Sequence, residues 1–240
     1  MIELKNVGFF KSSIEAISPF IPEGNFRFNE KGIHFRSIDP SQILLVDYFV
    51  DKSAFDKFSI EPAFVGLNIS ELEKVFNRAM PNDVAIISLS ESEIVITFKN
   101  ELERSFRIPL IDVSDEEQKL PQENYDSFIE ISARLLKEAL KDASVFGSGV
   151  VFRVKGEKFF LESKGDSGSM NLSSLHSKFI KVKSKAESVS KYSLSYLQNI
   201  VRSSDADSVI SIAFKSEAPM KISYKIGPSN ITFYLAHMLL

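Results

Sequence analysis

The chain has 240 residues, 44% of them hydrophobic and 25% charged, and its formal net charge of −3 gives no sign by itself of a nucleic-acid-binding protein. Cysteine is absent from the sequence, which excludes disulfide frameworks, thiolate zinc sites and cysteine nucleophiles. Neither a secretory leader pattern nor an apolar run of roughly 18 residues is present, so we expect a soluble cytoplasmic protein without a membrane partner.

The first half of the sequence predicts the order helix, strands, helix, strands. A short helix over residues 9–18 should end at Pro19, because proline lacks the N–H that continues the helical ladder. Apolar or alternating segments then predict strands at residues 25–28, 32–38 and 43–50. A second helix over residues 70–79 can be capped by Asn68 or Ser70. Three further strands are expected as a meander over residues 84–89, 93–99 and 103–110.

An acidic, proline-bearing segment over residues 112–126 follows, with neither helical nor strand periodicity. Such composition is typical of an interdomain linker. We therefore predict an N-terminal domain over residues 1–111, a connecting loop over 112–126 and a C-terminal domain over 127–240.

The second half repeats the order of the first, with helices expected over residues 132–143 and 194–203. The phrase F-x-x-K-G-x-x-F occurs in both halves, at residues 28–35 and again at residues 152–159. Two copies are too few for a solenoid of stacked repeats, so the repetition favours two similar domains in tandem. We predict an α+β fold made of two duplicated domains, each with two helices packed on antiparallel sheet.

Basic residues recur on one face of the predicted helices, opposite the apolar face. On the helix near residue 137 they follow a spacing of three and four residues, which places Arg134 and its neighbours together. Solvated surface faces are the simpler explanation for any one helix. Their recurrence on every helix indicates a surface for phosphates, and the candidate phosphate-binding residues, which the resemblance described next assigns to DNA, are Lys11, Lys74, Arg78, Lys137, Lys141 and Arg202.

Several separated motifs resemble those of the sliding clamp family of proliferating cell nuclear antigen in its archaeal form. They lie at residues 32–47, 105–113, 217–224 and 233–236. The resemblance implies a DNA-clamp fold, with three two-domain subunits joined head to tail in a trimeric ring. The helices would line a channel through which duplex DNA passes without readout of its sequence. Residues 104–109 and 169–173 would pair as edge strands at the subunit interface, which comprises Arg104, Ser105, Phe106, Arg107, Ile108, Ser169, Met170, Asn171, Leu172 and Ser173.

The resemblance also implies a hydrophobic pocket that receives short peptide motifs of DNA polymerase, the clamp loader, flap endonuclease and DNA ligase. Carried over position by position, its lining is Ile38, Ile43, Leu45, Leu120, Pro121, Tyr125, Pro219, Tyr234, Leu235 and Ala236. At the end of the sequence, residues 237–240 stand where the family usually has a proline and a charged tail. The protein is therefore expected to be a non-enzymatic processivity factor of replication and repair, nucleoid-associated, without catalytic residue, metal or cofactor.

Two other interpretations stay open. The chain could be a dedicated subunit of a heterotrimeric or checkpoint-type clamp. In another class, Gly165-Asp-Ser-Gly168 matches the nucleophile phrase of serine proteases, which makes a hydrolase built on Ser167 a remote alternative. That reading needs a histidine base, and no protease signature accompanies His34, His176 or His237. The acidic pair Glu116 and Glu117 is expected to be solvated rather than metal-binding.

Overall fold

The computed structural model describes residues 1–112, 118–122, 124–175 and 177–240. The chain divides into two compact units: unit 1 comprises Met1–Lys119 with Ile226–Ile231, and unit 2 comprises Leu120–Lys225 with Thr232–Leu240. Parts of the predicted connector, including Glu116 and Glu117, lie outside the described residues, as does His176. The domain limits at residues 111 and 127 therefore stay a prediction.

Four α-helices lie within the described residues, two for each half of the sequence: α1 Val7–Ile17, α2 Ile69–Phe76, α3 Ala133–Ala143 and α4 Leu194–Arg202. Asn68 caps α2 by accepting a hydrogen bond from the backbone N–H of Glu71 at 2.9 Å. The prediction that α2 reaches Ala79 was wrong by three residues. Its last turn closes at Asn77, whose N–H bonds to the carbonyl of Glu73, so Arg78 lies in the turn that follows the helix.

Nine strands lie in the described part of the first half: β1 Ile2–Leu4, β2 Glu23–Asn29, β3 Gly32–Ile38, β4 Leu44–Asp51, β5 Lys57–Phe58, β6 Ala63–Asn68, β7 Val84–Leu89, β8 Glu93–Lys99 and β9 Glu103–Pro109. One sheet has the order β5-β1-β7-β8-β9, and the other strands run in the order β4-β3-β2-β6. The predicted bounds of β3, β7 and β8 are confirmed. Strands β1, β5 and β6 were not predicted, because they are short or interrupt their apolar pattern with glycine.

Among the residues described in the second half there are as many strands, in the same sequence order: β10 Ser127–Ser132, β11 Gly149–Lys155, β12 Lys158–Gly165, β13 Gly168–Ser173, β14 Ile180–Ser184, β15 Ser188–Ser193, β16 Val209–Phe214, β17 Met220–Ile226 and β18 Ser229–Leu235. Their lateral orders are β14-β10-β16-β17-β18 and β13-β12-β11-β15. These orders match those of the first half strand for strand. The predicted duplication and the α+β class are thus confirmed.

The repeated F-x-x-K-G-x-x-F phrase forms the first hairpin of each half. Its phenylalanines are buried in the core: the ring of Phe35 lies 4.8 Å from that of Phe26, two residues before the phrase, and the rings of Phe152 and Phe159 lie 5.3 Å apart. Gly32 starts β3 with φ +144°, and a Cβ there would lie 2.1 Å from the carbonyl oxygen of Val50. The glycine of the phrase is therefore required by close backbone approach in the first hairpin.

The helices pack on the sheets through buried aromatic and aliphatic side chains. In unit 1 the rings of Phe10 and Phe76 lie 5.1 Å apart, and the ring of Phe76 lies 5.8 Å from that of Phe98 on β8. In unit 2 the hydroxyl of Tyr224 donates to the carbonyl of Ile200 at 2.6 Å, which ties β17 to α4. One face of each helix is thereby buried and the other is left for polar residues. Within the described residues, every helix is too short or too polar to cross a membrane.

Candidate functional site

The predicted cations of unit 1 lie on solvent-exposed helix faces. The side chain of Lys74 is 70% exposed, and its ammonium group pairs with Glu71 at 2.7 Å. Lys11 on α1 pairs with Glu15 at 3.9 Å, and Arg78 is exposed just beyond α2. Lys11 and Lys74 are thus paired with carboxylates at the surface, and Arg78 is exposed to solvent.

Unit 2 repeats this arrangement on α3. Lys141 is 69% exposed and pairs with Glu138 at 2.7 Å, with the same three-residue spacing as Lys74 and Glu71. Arg202 is exposed as the last residue of α4. Exposed pairs of this kind contribute about 0.3–0.5 kcal/mol each. The lysines can therefore exchange a carboxylate partner for a phosphate at little cost.

Lys137 differs from the other predicted cations. Its ammonium group donates to the carbonyl of Arg202, the last residue of α4, at 3.1 Å and to that of Ser204, just beyond the helix, at 2.6 Å. The carbonyl of Arg202 is one that the end of the helix leaves without a helical partner. Burial lowers the pKa of Lys137, with a further lowering by Lys141 and an opposing effect of Asp205. Lys137 is therefore a helix cap that joins α3 to α4. No signal in the sequence announced this role, because the acceptors lie 65 and 67 residues away.

The predicted interface segments are edge strands in the structure: β9 ends the five-stranded sheet, and β13 ends the sheet β13-β12-β11-β15. Other edges are covered or short. An isolated bridge joins Gly66 of β6 to Ile111, and an equivalent bridge joins Lys191 of β15 to Met238. Strand β5 has two residues, and β14 carries lysines that oppose pairing with another strand. Within the part of the chain that the structure describes, β9 and β13 remain as the longer terminal strands of their sheets, each paired with a strand on one side.

Strand β9 is anchored to the turn after α2 through Arg104. Its guanidinium pairs with the fully buried carboxylate of Asp83 and donates to the carbonyl of Arg78 at 2.8 Å. The same carboxylate accepts from the N–H of Met80 at 2.6 Å. One arginine thus links the edge strand to the segment that carries the exposed Arg78.

Strand β13 belongs to a hairpin whose turn contains the protease-like phrase. Asp166 and Ser167 form the two-residue tip between paired Gly165 and Gly168, and both tip residues are exposed. A Cβ on Gly165 would lie 1.6 Å from the carbonyl oxygen of Phe146. The glycines of the phrase are therefore explained by close packing of the hairpin against the Phe146 loop.

Part of the predicted peptide pocket is formed within unit 2. Pro121, Tyr125 and Tyr234 line one cavity of about 700 Å³, together with residues of β10, β16 and β17. Leu120, Pro219 and Ala236 are half-buried, and Leu235 is buried in the core. In unit 1, Ile43 is 37% exposed, Ile38 is half-buried and Leu45 is buried. The grouping of all these residues in one pocket stays a prediction.

A polar cluster on the outer face of unit 1 holds the start of the connector. Asp47 accepts hydrogen bonds at 2.8 Å from both His34 and Arg36, and Arg36 donates to the carbonyl of Gln118 at 3.3 Å. Burial alone would raise the pKa of Asp47, but the bonds from His34 and Arg36 outweigh it and hold the pKa below its ordinary value of 3.8. The alternation of β3 predicted that His34 and Arg36 share a face, but nothing in the sequence indicated their common carboxylate.

Asp47→Asn should lower the free energy of unfolding by about 1–2 kcal/mol at neutral pH, because it removes a charged acceptor shared by two donors. The folded-state pKa lies below the unfolded value, so this stability is present above about pH 4 and is lost as the pH falls through the lower folded pKa. The difference between the variant and the unmodified protein should therefore vanish towards pH 2. Urea titrations at pH 7, 5 and 3 measure it, with the exposed Glu61→Gln as control. A difference that is constant with pH would contradict the assignment.

Comparison with known proteins gives a consistent picture across the whole chain. The family model for the N-terminal domain of proliferating cell nuclear antigen matches residues 1–118, and that for the C-terminal domain matches residues 119–238. The "DNA polymerase sliding clamp" of Pyrococcus furiosus is 30% identical over 232 residues, covering 95% of this chain and 93% of the relative. "DNA polymerase sliding clamp 1" of Thermococcus kodakarensis is 31% identical over 233 residues, with the same coverage. A crystal structure of the PCNA of Thermococcus kodakaraensis superimposes with a TM-score of 0.93 over 99% of both chains, at 24% identity.

Proposed function

The chain belongs to the proliferating cell nuclear antigen family, and from this premise we propose that it is one subunit of a ring that encircles duplex DNA. It is a DNA sliding clamp, a processivity factor of replication. The observation that carries the proposal is the strand-for-strand repetition of one plan, which leaves one long open edge in each unit, β9 in unit 1 and β13 in unit 2.

The ring closes by pairing of β9 of one copy with β13 of the next. Such a contact joins two different surfaces, so it is heterologous and closes only when the rotation per subunit is correct. Charge supports the head-to-tail arrangement, because acidic residues outnumber basic ones in unit 1 and the reverse holds in unit 2. Opposite charges on the two units favour contacts between unlike units of identical chains. We therefore favour three identical subunits over a heterotrimer.

Contact with DNA is made by the cations on the helices or just beyond them, which are the partly buried Lys11 and the exposed Lys74, Arg78, Lys141 and Arg202. Their lysine–carboxylate pairs are weak and exposed, as suits contacts that must form and break while the ring slides. Phosphate contacts carry no sequence information. Retention on DNA then depends on encirclement rather than on affinity.

Partner proteins bind through short hydrophobic peptides at the surface that contains Tyr125 and Tyr234. DNA polymerase, the clamp loader, flap endonuclease and DNA ligase are the partners, and the clamp itself supplies no chemical step. An aromatic anchor in a desolvated pocket is the usual basis of such recognition. The protein works at the DNA of the cell, in the cytoplasm and associated with the nucleoid.

Light scattering and a topological retention assay test this function together. The purified chain should have three times its mass of 27.0 kDa, and with a clamp loader it should stay on nicked circular DNA and leave after the circle is cut. Retention that does not depend on the circle would contradict encirclement. A monomer that forms rings with paralogues alone would favour the heterotrimer. Ser167→Ala should change neither result, whereas loss of a hydrolytic activity would favour the enzyme.

A further inference from the structure

A groove crosses the outer face of the sheet β14-β10-β16-β17-β18 in unit 2. The strand register places Lys183, Phe128, Ala213 and Lys221 in one row across four strands. Phe128, Ala213 and Lys221 line the cavity of about 700 Å³, with Tyr125 and Pro121 at its side, and Lys183 lies one strand beyond Phe128. The row is therefore a shallow trough over the small Ala213, with Lys221 on one bank and Lys183 next to Phe128 on the other.

Both banks combine a lysine with an aromatic ring. The ammonium group of Lys185 lies 5.8 Å from the ring of Phe128, and that of Lys221 lies 5.8 Å from the ring of Tyr234. Phe128 is 40% exposed, which is unusual for a phenylalanine on a sheet with a buried opposite face. Each bank can thus contact an apolar group and an anionic group of the same ligand.

The lysines of the groove have no anionic partner within the part of the chain that the structure describes. No described carboxylate lies within 4.0 Å of the ammonium groups of Lys183, Lys185 or Lys221. In contrast, the neighbouring Lys181 is paired with Glu130 at 3.2 Å. The uncompensated positive charge is therefore located at the two ends of the Phe128–Ala213 row.

We propose that this groove binds an acidic peptide segment of a partner protein, in which an aromatic or aliphatic residue is flanked by two carboxylates. Lys183 and Lys221 are three strand spacings apart, about 14 Å. An extended peptide covers that distance in about four residues. The matching pattern is a carboxylate, a spacer, an apolar residue over Ala213, a spacer and a second carboxylate.

A peptide fits this surface better than a nucleic acid does. Glu130 lines the same cavity two residues along β10 from Phe128 and is half exposed, so a continuous phosphate backbone in the cavity would meet a like charge beside the row. A peptide with two separated carboxylates would place them at Lys183 and Lys221, so Glu130 could keep its ion pair with Lys181. The inference rests on the proposed function in one respect, since it takes the occupant to be the continuation of a peptide that binds beside Tyr125.

Fluorescence anisotropy with labelled synthetic peptides tests the groove. The probe is Gly-Ser-Glu-Ala-Phe-Ala-Glu-Ser-Gly, and the control peptide has glutamine in place of both glutamates. The probe should bind more tightly than the control, and Lys183→Glu and Lys221→Glu should each weaken it about five- to tenfold. Lys158→Glu on β12 makes the same charge change on the other sheet of unit 2 and should have no effect. A peptide with lysines in place of the glutamates should recover binding to the Lys183→Glu/Lys221→Glu variant.

These experiments distinguish a failure of the groove proposal from a failure of the ring proposal. Equal affinity for the glutamate and glutamine peptides, or no binding at millimolar peptide, would overturn the groove while ring mass and retention on circular DNA stand. Competition by oligothymidylate that depends on Lys183 and Lys221 would overturn it in favour of a nucleic-acid site. Phe128→Ala should weaken the probe without changing ring mass, and Leu120→Ala, outside the residues that line the cavity, should leave the probe affinity unchanged.

Discussion

Replacement of Arg104 by methionine is expected to lower the free energy of unfolding by about 3–5 kcal/mol. The carboxylate of Asp83 is fully buried and would lose the guanidinium that neutralises it, and an uncompensated buried charge is among the most destabilising changes in a protein. The variant would also lose the hydrogen bond from Arg104 to the carbonyl of Arg78. Urea unfolding at a fixed protein concentration measures the effect, because assembly makes stability depend on concentration.

The same substitution at Arg107 is the matched control. Arg107 lies on the same strand and pairs with Glu93, but its side chain is 66% exposed, so Arg107→Met should cost less than about 1 kcal/mol. Combining Arg104→Met with Asp83→Leu should recover much of the loss, since a buried ion pair can often be exchanged for apolar residues. Equal costs for Arg104→Met and Arg107→Met would show that the buried pair has no special weight.

Charge reversal at Lys74, Arg78 and Lys141 should nearly abolish binding of the ring to duplex DNA while the ring itself stays intact. Each cation that neutralises a phosphate contributes about 0.9 to the slope of log affinity against log salt concentration. The slope should therefore fall by roughly three per chain that contacts DNA. Anisotropy titrations of a labelled 30-base-pair duplex between about 50 and 200 mM salt provide the slope.

Lys137 is left unchanged in this variant because its ammonium group caps α4, so its reversal would confound a DNA contact with loss of the fold. The control reverses Lys57, Lys99 and Lys155, exposed strand residues that change the net charge by the same amount. An equal loss of affinity in both variants would mean that net charge alone attracts DNA. An unchanged slope in the first variant would remove the helices from the interface.

The elements that the sequence predicted best are those in which local pattern and tertiary environment agree. Strand β3 alternates buried and partly exposed residues around Phe35, with Arg36 on the polar side, so its bounds followed from periodicity alone. Strand β6 contains Gly66 in an otherwise apolar run and gave no clear alternation. Helix α2 was predicted too long because its apolar spacing continues to Ala79, whereas the backbone already turns at Asn77.

The sequence predicted those parts of the candidate sites whose position follows from residue type and helical spacing alone. Exposed lysines on helix faces follow from helical spacing, and Lys74 and Lys141 lie where that spacing puts them. The contacts of Lys137 and Arg104 were not predictable, because their partners at Ser204 and Asp83 are distant in sequence and are brought close by packing. The groove on unit 2 likewise depends on strand register, which the sequence did not specify.

The buried pair of Arg104 and Asp83 belongs to one half of a duplicated chain. On strand β18, the counterpart of β9, the buried residues Ser229 and Ile231 lie on the face where β9 has Arg104. Ser208 precedes β16 as Asp83 precedes β7, and its hydroxyl donates locally to the carbonyl of Asp205 at 2.7 Å. The two halves thus share one order of strands, but at this position the first half has a buried carboxylate that a cation must neutralise. Tolerance to mutation should follow this asymmetry: the position of Arg104 is constrained by the buried carboxylate of Asp83, whereas Ser229 and Ile231 have to satisfy packing and a local hydrogen bond to the carbonyl of Ile226.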